Sequence, residues 1–546
     1  MKRLLIFFFS LFMALNYAFA GGLVTNTNQS AAWARMLVRD ASTSVDAVYY
    51  NPAGLTKLAD GLHISVSNQS IFQDRTITST FPPLHNPEFE GSVSAPLFPD
   101  LYAAYKKGKF AFSLGFMPIG GGGSAVFDNG IPMIEIPVSS LTYNFAEQGV
   151  TDYGVISNFE GSSVYFGIQG GISYAINDMI SVYAGARYVW AKNTYTGEVK
   201  DITVTTAGGT LPASTFMTNL AALASGGATQ NYNAATGMNG LVTAYPANTF
   251  DQVIAATAGD PATQAQVTAL RDGLTNQGVQ NAGSLTMTQG QATYNTLGDT
   301  YTAQATQLTA GSALMVDQEA DVTQTGNGWT PILGLNLSLM DGKLNIGAKY
   351  EFKTNMTLVN ETAPGKGFVI GIDPGTGAPV EMFPDGEETN ADIPAMLSLG
   401  VNYKFSDKFS AMVGYHTYWD KKTGWENVED EIDKNYWELA GGLEYNLNDR
   451  LLLSAGYLRA QPGVNENYQS NLSYSLPSNT FGLGGAFKIN DMLTLQLGGY
   501  YTMYESATYD ESYTLGDNVT QVPFKTTYEK SNWAIAVGLD FTFGGK

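Results

Sequence analysis

The chain contains no cysteine and only three histidines, and just 14% of its residues are charged. The first absence removes disulfides, a thiolate nucleophile and cysteine-bound zinc. His63, His85 and His416 are dispersed without metal-ligand spacing, so no metal site is expected. No Gly-x-Ser-x-Gly elbow occurs, and the pairs Gly365 with Gly367 and Gly375 with Gly377 do not carry a strand into a helix. Neither an enzyme nor a bound cofactor is therefore expected. Basic charge is also scarce, with 28 Lys and Arg against 49 Asp and Glu. A net charge of −21 disfavours nucleic acid as a partner.

Long apolar runs are missing after the first twenty residues. Those twenty begin Met1-Lys2-Arg3, continue through an apolar stretch at 4–15 and reach Ala18-Phe19-Ala20. A charged start, a short apolar centre and small residues at the end predict a signal peptide over 1–20, with Gly21 as the mature start. Losing Lys2 and Arg3 takes the formal charge from −21 to −23.

Glycine and aromatics are what the chain has in abundance, 60 Gly, 31 Tyr and 28 Phe. They fall in a period of two. In the last segment Trp533, Ile535, Val537, Leu539, Phe541 and Phe543 alternate with small or polar residues. Leu344, Ile346, Ala348, Tyr350 and Phe352 alternate likewise with Asn345, Gly347, Lys349, Glu351 and Lys353. The row from Phe409 to Trp419 ends in an aromatic at each extremity, as aromatic girdles at two membrane interfaces require.

Tight polar turns sit at 106–109, 176–178, 341–343, 406–408, 448–450 and 489–491, with longer connections between them. Six hairpins plus a first strand near 61–73 and a last near 530–543 predict about fourteen strands. The fold class is an all-β membrane protein, an antiparallel transmembrane β-barrel of the bacterial outer membrane with both termini in the periplasm. A barrel that wide is not filled by its own side chains. Its inward rows carry Gly167, Gly171, Gly185, Gly347, Gly400, Gly414, Gly442, Gly482, Gly484 and Gly498. These glycines serve sheet curvature, or they widen a lumen that holds water or a plug.

Residues 21–60 lack the alternation and contain helix-compatible stretches broken by Pro52 and Gly54, enough chain to fold inward as a stopper. The stretch "DASTSVDAVYYNPAGLTKLADG", residues 40–61, resembles the hatch signature of the FadL family of outer-membrane transporters of long-chain fatty acids and hydrocarbons. The resemblance extends to the leader, the strand count and the aromatic last strand. It implies a hatch over 21–60 carrying the turn Asn51, Pro52, Ala53, and a barrel over 61–546. It also implies a hydrophobic small molecule as cargo and passive transport through outer-loop capture, a lumen site beside the hatch and release sideways into the membrane lipid.

In that family a kink in the third strand opens the wall. The stretch "FMPIGGGGS" places Pro118, Gly120, Gly121, Gly122 and Gly123 where a strand ladder should fail, as a lateral gate or as the start of an outer loop. Arg187 lies on an inward row. It is a candidate to hold a carboxylate headgroup, or else it pairs with a wall carboxylate such as Glu351 or Glu444. The connection at 198–330 is far longer than an ordinary loop. Within it Phe216, Leu220 and Leu223 fall at helical spacing, as do Val267, Leu270 and Leu274. The first set is a candidate ligand-gathering surface. The resemblance also leaves, as the leading alternative to transport, a protein-interaction role in secretion or surface attachment, which the large insertion suits. A polar-solute porin is the remaining alternative, although a diffusion channel has no need of a plug.

Overall fold

The computed structural model describes residues 23, 25–373, 375–425 and 428–544, so the leader expected at 1–20 lies outside the described residues. Fourteen antiparallel strands close into one barrel. They are β1 (Gly61–Ser79), β2 (Glu88–Lys107), β3 (Phe110–Phe127), β4 (Asp152–Ala175), β5 (Ile180–Thr206) and β6 (Gln318–Leu339). Next come β7 in two pieces (Leu344–Glu351, Thr357–Gly367), β8 in two pieces (Glu388–Asn390, Met396–Lys404), β9 (Phe409–Tyr418), β10 (Trp437–Asn446) and β11 (Leu451–Gln461). The last three are β12 (Ser478–Asn490), β13 in two pieces (Leu493–Tyr504, Ala507–Thr514) and β14 (Gln521–Phe543). Pairing of β1 with β14, from Leu62 opposite Phe543 to Ser79 opposite Thr526, completes the ring.

All six tight turns join neighbouring strands at one end, the end where both chain termini of the barrel meet. The outward rows are apolar and uncovered: Leu114 is 57% exposed, Leu483 67% and Ile535 57%. Their inward neighbours are buried, among them Ser113, Ala534 and Ala536. An apolar exterior on antiparallel strands paired into a closed ring is an outer-membrane β-barrel. No helix among the described residues is long and apolar enough to cross a membrane.

Residues 25–58 lie inside the ring. Two short helices (Ala31–Ala34, Ala47–Tyr50) and a 3-10 turn (Pro52–Lys57) place Trp33, Met36, Leu37, Tyr49, Tyr50 and Leu55 in one cluster with wall residues such as Tyr102, Met117 and Tyr165. The protein's largest core is therefore the contact between this segment and the barrel wall. The inward glycines explain the fit. A methyl group at Gly347 or Gly400 would overlap the Asp40 backbone, at Gly414 the Asp40 carboxylate, at Gly442 or Gly456 Met36, and at Gly482 Ala34. Curvature alone does not account for these positions, because they line a groove that receives residues 34–41.

The long connection is narrower than its expected bounds of 198–330, since β5 runs on to Thr206 and β6 begins at Gln318. Strand pairing continues well past the aromatic girdle, a feature of backbone geometry that sequence alternation does not reveal in this Thr-rich stretch. Between the strands stand two long antiparallel helices, Ala213–Gly237 and Met287–Leu314. At 1.5 Å per residue they project about 40 Å. Shorter helices at their tip bury Val267 and Leu274 in a separate core with Phe250 and Met287, with Leu270 packed against it.

Candidate functional site: a plugged lumen beside a break in the wall

The Asn-Pro-Ala turn is tied to three strands. Asn51 donates from Nδ2 to Oδ1 of Asn336 on β6 at 2.7 Å and to the Ser42 carbonyl at 3.0 Å. The Pro52 carbonyl accepts from Ser173 on β4 at 2.6 Å, and the Ala53 carbonyl from Ser181 on β5 at 2.8 Å. Proline suits the first position of the 3-10 turn because no intrahelical donor is needed there. Inside the plug, Arg39 forms a bidentate pair with Asp46, 2.6 Å from Nε to Oδ2 and 3.1 Å from Nη2 to Oδ1. Burial alone would raise the Asp46 carboxyl, but Arg39 and the Ser42 hydroxyl outweigh it and hold it below the usual range.

The wall is broken between β2 and β3. Their ladder runs from Lys107 opposite Phe110 to Leu101 opposite Phe116, then resumes only at Ser94 opposite Ser124. Residues 95–100 and 117–123 do not pair with each other. Pro96 and Pro99 on one side and Pro118 on the other have no backbone N–H to give. On its far side β3 stays paired with β4, with register shifts at Pro118/Gly120 and Gly121/Gly123. Gly121 and Gly123 adopt φ of +90° and +80°, the left-handed region that favours glycine. The expectation that the ladder fails at Pro118 and Gly120 to Gly123 thus needs correcting in one respect: it fails toward β2 only, because bulges absorb the misfit toward β4.

The start of the plug covers this break from inside. The Asn26 amide donates to the Ile119 carbonyl at 2.7 Å, Asn26 Nδ2 to the Gly121 carbonyl at 2.6 Å, and Gln29 Nε2 to the Pro118 carbonyl at 2.7 Å. Thr25 forms a bridge with Gly120.

Above the plug lies a cavity of about 180 Å³ whose floor is Thr25 to Asn28 and whose wall includes Phe98 and Gly121 at the break. Its opposite side holds two cations. Arg75 on β1 stands directly across from Lys530 on β14. The Arg75 guanidinium lies 5.7 Å from the Tyr474 ring centre, and Lys530 Nζ lies 4.4 Å from that of Tyr504 and 5.5 Å from that of Tyr474. Neither cation joins an ion pair among the described residues. Two like charges opposed on adjacent strands repel each other, and a bound anion would relieve that repulsion. A second cavity, of about 100 Å³ and almost wholly apolar, sits nearer the outside among Ile131, Pro137, Phe159, Met315, Phe368 and Met382. The connection between β11 and β12 separates the two, giving Leu472 to the outer and Tyr474 and Leu476 to the inner.

No protein-family model matches the chain, and no curated protein matches it in sequence. Solved structures do. A Pseudomonas aeruginosa FadL homologue superposes with a TM-score of 0.54 at 14% identity, over 94% of this chain and 99% of that one. The chain has the FadL-type fold. The Pseudomonas putida toluene transporter TodX matches at a TM-score of 0.46 and 14% identity, over 92% of this chain and 95% of its own. The Ralstonia pickettii toluene transporter TbuX matches at 0.43 and 13%, over 92% and 94%.

Within this FadL-type barrel Arg187 takes the second of the two roles the sequence left open for it, the pair with a wall carboxylate, and the apolar candidates do not gather at a cavity. Arg187 is no free cation. It makes a bidentate pair with Glu351, at 2.7 and 2.9 Å, while Gln169 accepts from it and Tyr49 of the plug covers it at 5.2 Å. Lys349 completes the cluster, donating to Glu351 and to the Tyr49 carbonyl. Phe216 and Leu220 pack at the foot of the long helices, Phe216 edge-on to Phe145 with centres 5.4 Å apart, and neither lines a cavity described above. Leu223 is 73% exposed, so the three do not form one stripe. Sequence reasoning missed Arg75 and Lys530, whose partnership depends on the closure of β1 on β14. It also missed Pro96 and Pro99, although two prolines three residues apart inside an alternating strand were a readable signal.

Proposed function

We propose that this chain is a passive outer-membrane transporter of hydrophobic small molecules, with amphiphiles bearing a carboxylate, such as long-chain fatty acids, as its preferred cargo. The observation carrying this reading is the pair Arg75 and Lys530, unpaired with any described carboxylate and facing a lumen cavity that adjoins the break between β2 and β3. The apolar outer cavity suits first capture of an alkyl chain. The inner cavity then takes the head, and the break offers the chain a path into lipid without crossing water. Residues 25–58 act as the hatch. The fold shared with the FadL homologue supports this, and a polar-solute porin is disfavoured because the hatch occupies the lumen.

Binding of oleate and of an uncharged hydrocarbon of similar length to the purified protein tests the assignment. Replacing Arg75 and Lys530 together by Gln should weaken oleate binding by about 10- to 100-fold, the loss expected for charge-assisted hydrogen bonds, and leave the hydrocarbon unaffected. Equal losses for both ligands, or none, would remove the carboxylate preference. A large resting ion conductance through the intact protein would remove the hatch.

A further inference from the structure

Both ring nitrogens of His416 face carboxylates. Nε2 lies 2.6 Å from Oδ1 of Asp40 in the plug, and Nδ1 lies 2.7 Å from Oε2 of Glu438 on β10. All three residues are buried. The same Glu438 oxygen accepts from the Thr27 hydroxyl at 3.3 Å and from Tyr418 at 3.2 Å, and Glu438 also lines the lumen cavity. One carboxylate therefore touches the cargo space, the wall and the first residues of the plug.

An ionised carboxylate only accepts hydrogen bonds, and a neutral imidazole has a single donor. Two ionised carboxylates around a neutral ring would leave one bare nitrogen facing an oxygen lone pair in a buried site. The contacts are satisfied only when the group holds one further proton, wherever along the chain of hydrogen bonds it rests. Other titratable groups surround it. On the plug Tyr49 is near, on β7 Lys349 and Glu351, and on the wall Tyr418 and Tyr436. Lys349 and Arg187 share the one carboxylate of Glu351, so that cluster keeps one surplus positive charge, the counterpart of the single negative charge the triad keeps when it holds the extra proton.

We propose that Asp40, His416 and Glu438 form a proton-held latch that ties the plug to β9 and β10. With the extra proton the plug is bonded to the wall through both carboxylates. When pH rises and that proton passes to solvent, Asp40 or Glu438 is left against a bare nitrogen and the tie is lost. This inference rests on residues 25–58 closing the lumen and is independent of which cargo is carried.

The test uses full-length protein in lipid nanodiscs with ¹⁵N-labelled histidine. Only three imidazoles contribute, and the His416 signals are those lost in His416→Gln. At about pH 8, where a free imidazole is almost wholly neutral, both His416 nitrogens should carry protons or share one with a carboxylate. Raising the pH until that state is lost should lower the hydrogen-exchange protection of plug amides, corrected for intrinsic exchange, by about tenfold or more. The double variant Asp40→Asn with Glu438→Gln, whose amides can both donate to and accept from a neutral ring, should keep the plug seated and lose this response. A neutral His416 at about pH 8 beneath a fully protected plug would overturn the latch. So would an unchanged pH response in the double variant.

Discussion

Asn51 in the plug and Asn336 on β6 are 285 residues apart in sequence, yet Nδ2 of the first donates to Oδ1 of the second at 2.7 Å. The bond is buried, and Asn336 in turn exchanges hydrogen bonds with Asn345, which donates to the Ala41 carbonyl. One amide thus fixes the turn of the plug to two strands. Asn51→Ala should reduce the stability of plug seating by about 1 to 3 kcal/mol, the cost of orphaned buried polar groups. Hydrogen exchange of residues 31–58 reads this directly, and unchanged protection would assign the seating to other contacts.

Glycine at 456 leaves room for Met36, whose carbonyl a Cβ would overlap. Gly456→Val should therefore expel the plug while β11 still pairs with β10 and β12, since the added atoms point into the lumen. Planar-bilayer recordings should change from little current to a large, stable conductance, with heat-modifiable mobility retained. A variant that folds and stays closed would show that the groove tolerates displacement.

On the opposite face of the wall, Leu483→Arg should cost about 2 to 4 kcal/mol near the bilayer midplane. The loss of assembled barrel on unheated gels measures it. Asn479→Arg, toward the end of the same strand, should cost much less, and equal losses would contradict the placement of the apolar belt.

Pro96, Pro99 and Pro118 withhold three donors at the break. Replacing them by Thr, Val and Val restores the N–H groups and favours closure of the β2–β3 ladder. Uptake of a hydrophobic ligand into membrane lipid should slow while its binding to the purified protein is unchanged. Transport at the original rate by a variant with a demonstrably closed ladder would place the exit elsewhere.

Asp420 gives a pH dependence outside the membrane. Burial in the loop after β9 raises its carboxyl to about 6, against a hydrogen bond from the Tyr436 amide at 3.0 Å that lowers it. The folded loop binds the proton more tightly than the unfolded chain does. Its stability should therefore fall as pH rises from about 4 to about 6 and stay level above, by on the order of 3 kcal/mol in all. Protection of the Thr423 and Tyr436 amides against exchange follows this, and Asp420→Asn should flatten the profile.

The barrel itself was legible along the chain because its signals are local. Alternation such as Trp533 to Phe543 depends only on the two-residue repeat of a strand, and turns such as 341–343 on a few polar residues in succession. A stopper at residues 21–60 was suggested by their lack of that alternation, and the resemblance of residues 40–61 to the FadL hatch signature implied a plug. What only the tertiary structure decided is which inward groups meet. Arg187 and Glu351 are 164 residues apart and became partners because β5 and β7 both flank β6, leaving Arg75 and Lys530 as the cations facing the cavity. Gly400 and Gly414 received their purpose from Asp40, which no strand pattern contains. Closure of a ring brings residues together by register across strands and across the lumen, and the energy of a buried charge depends on the partner found there rather than on its neighbours in the chain.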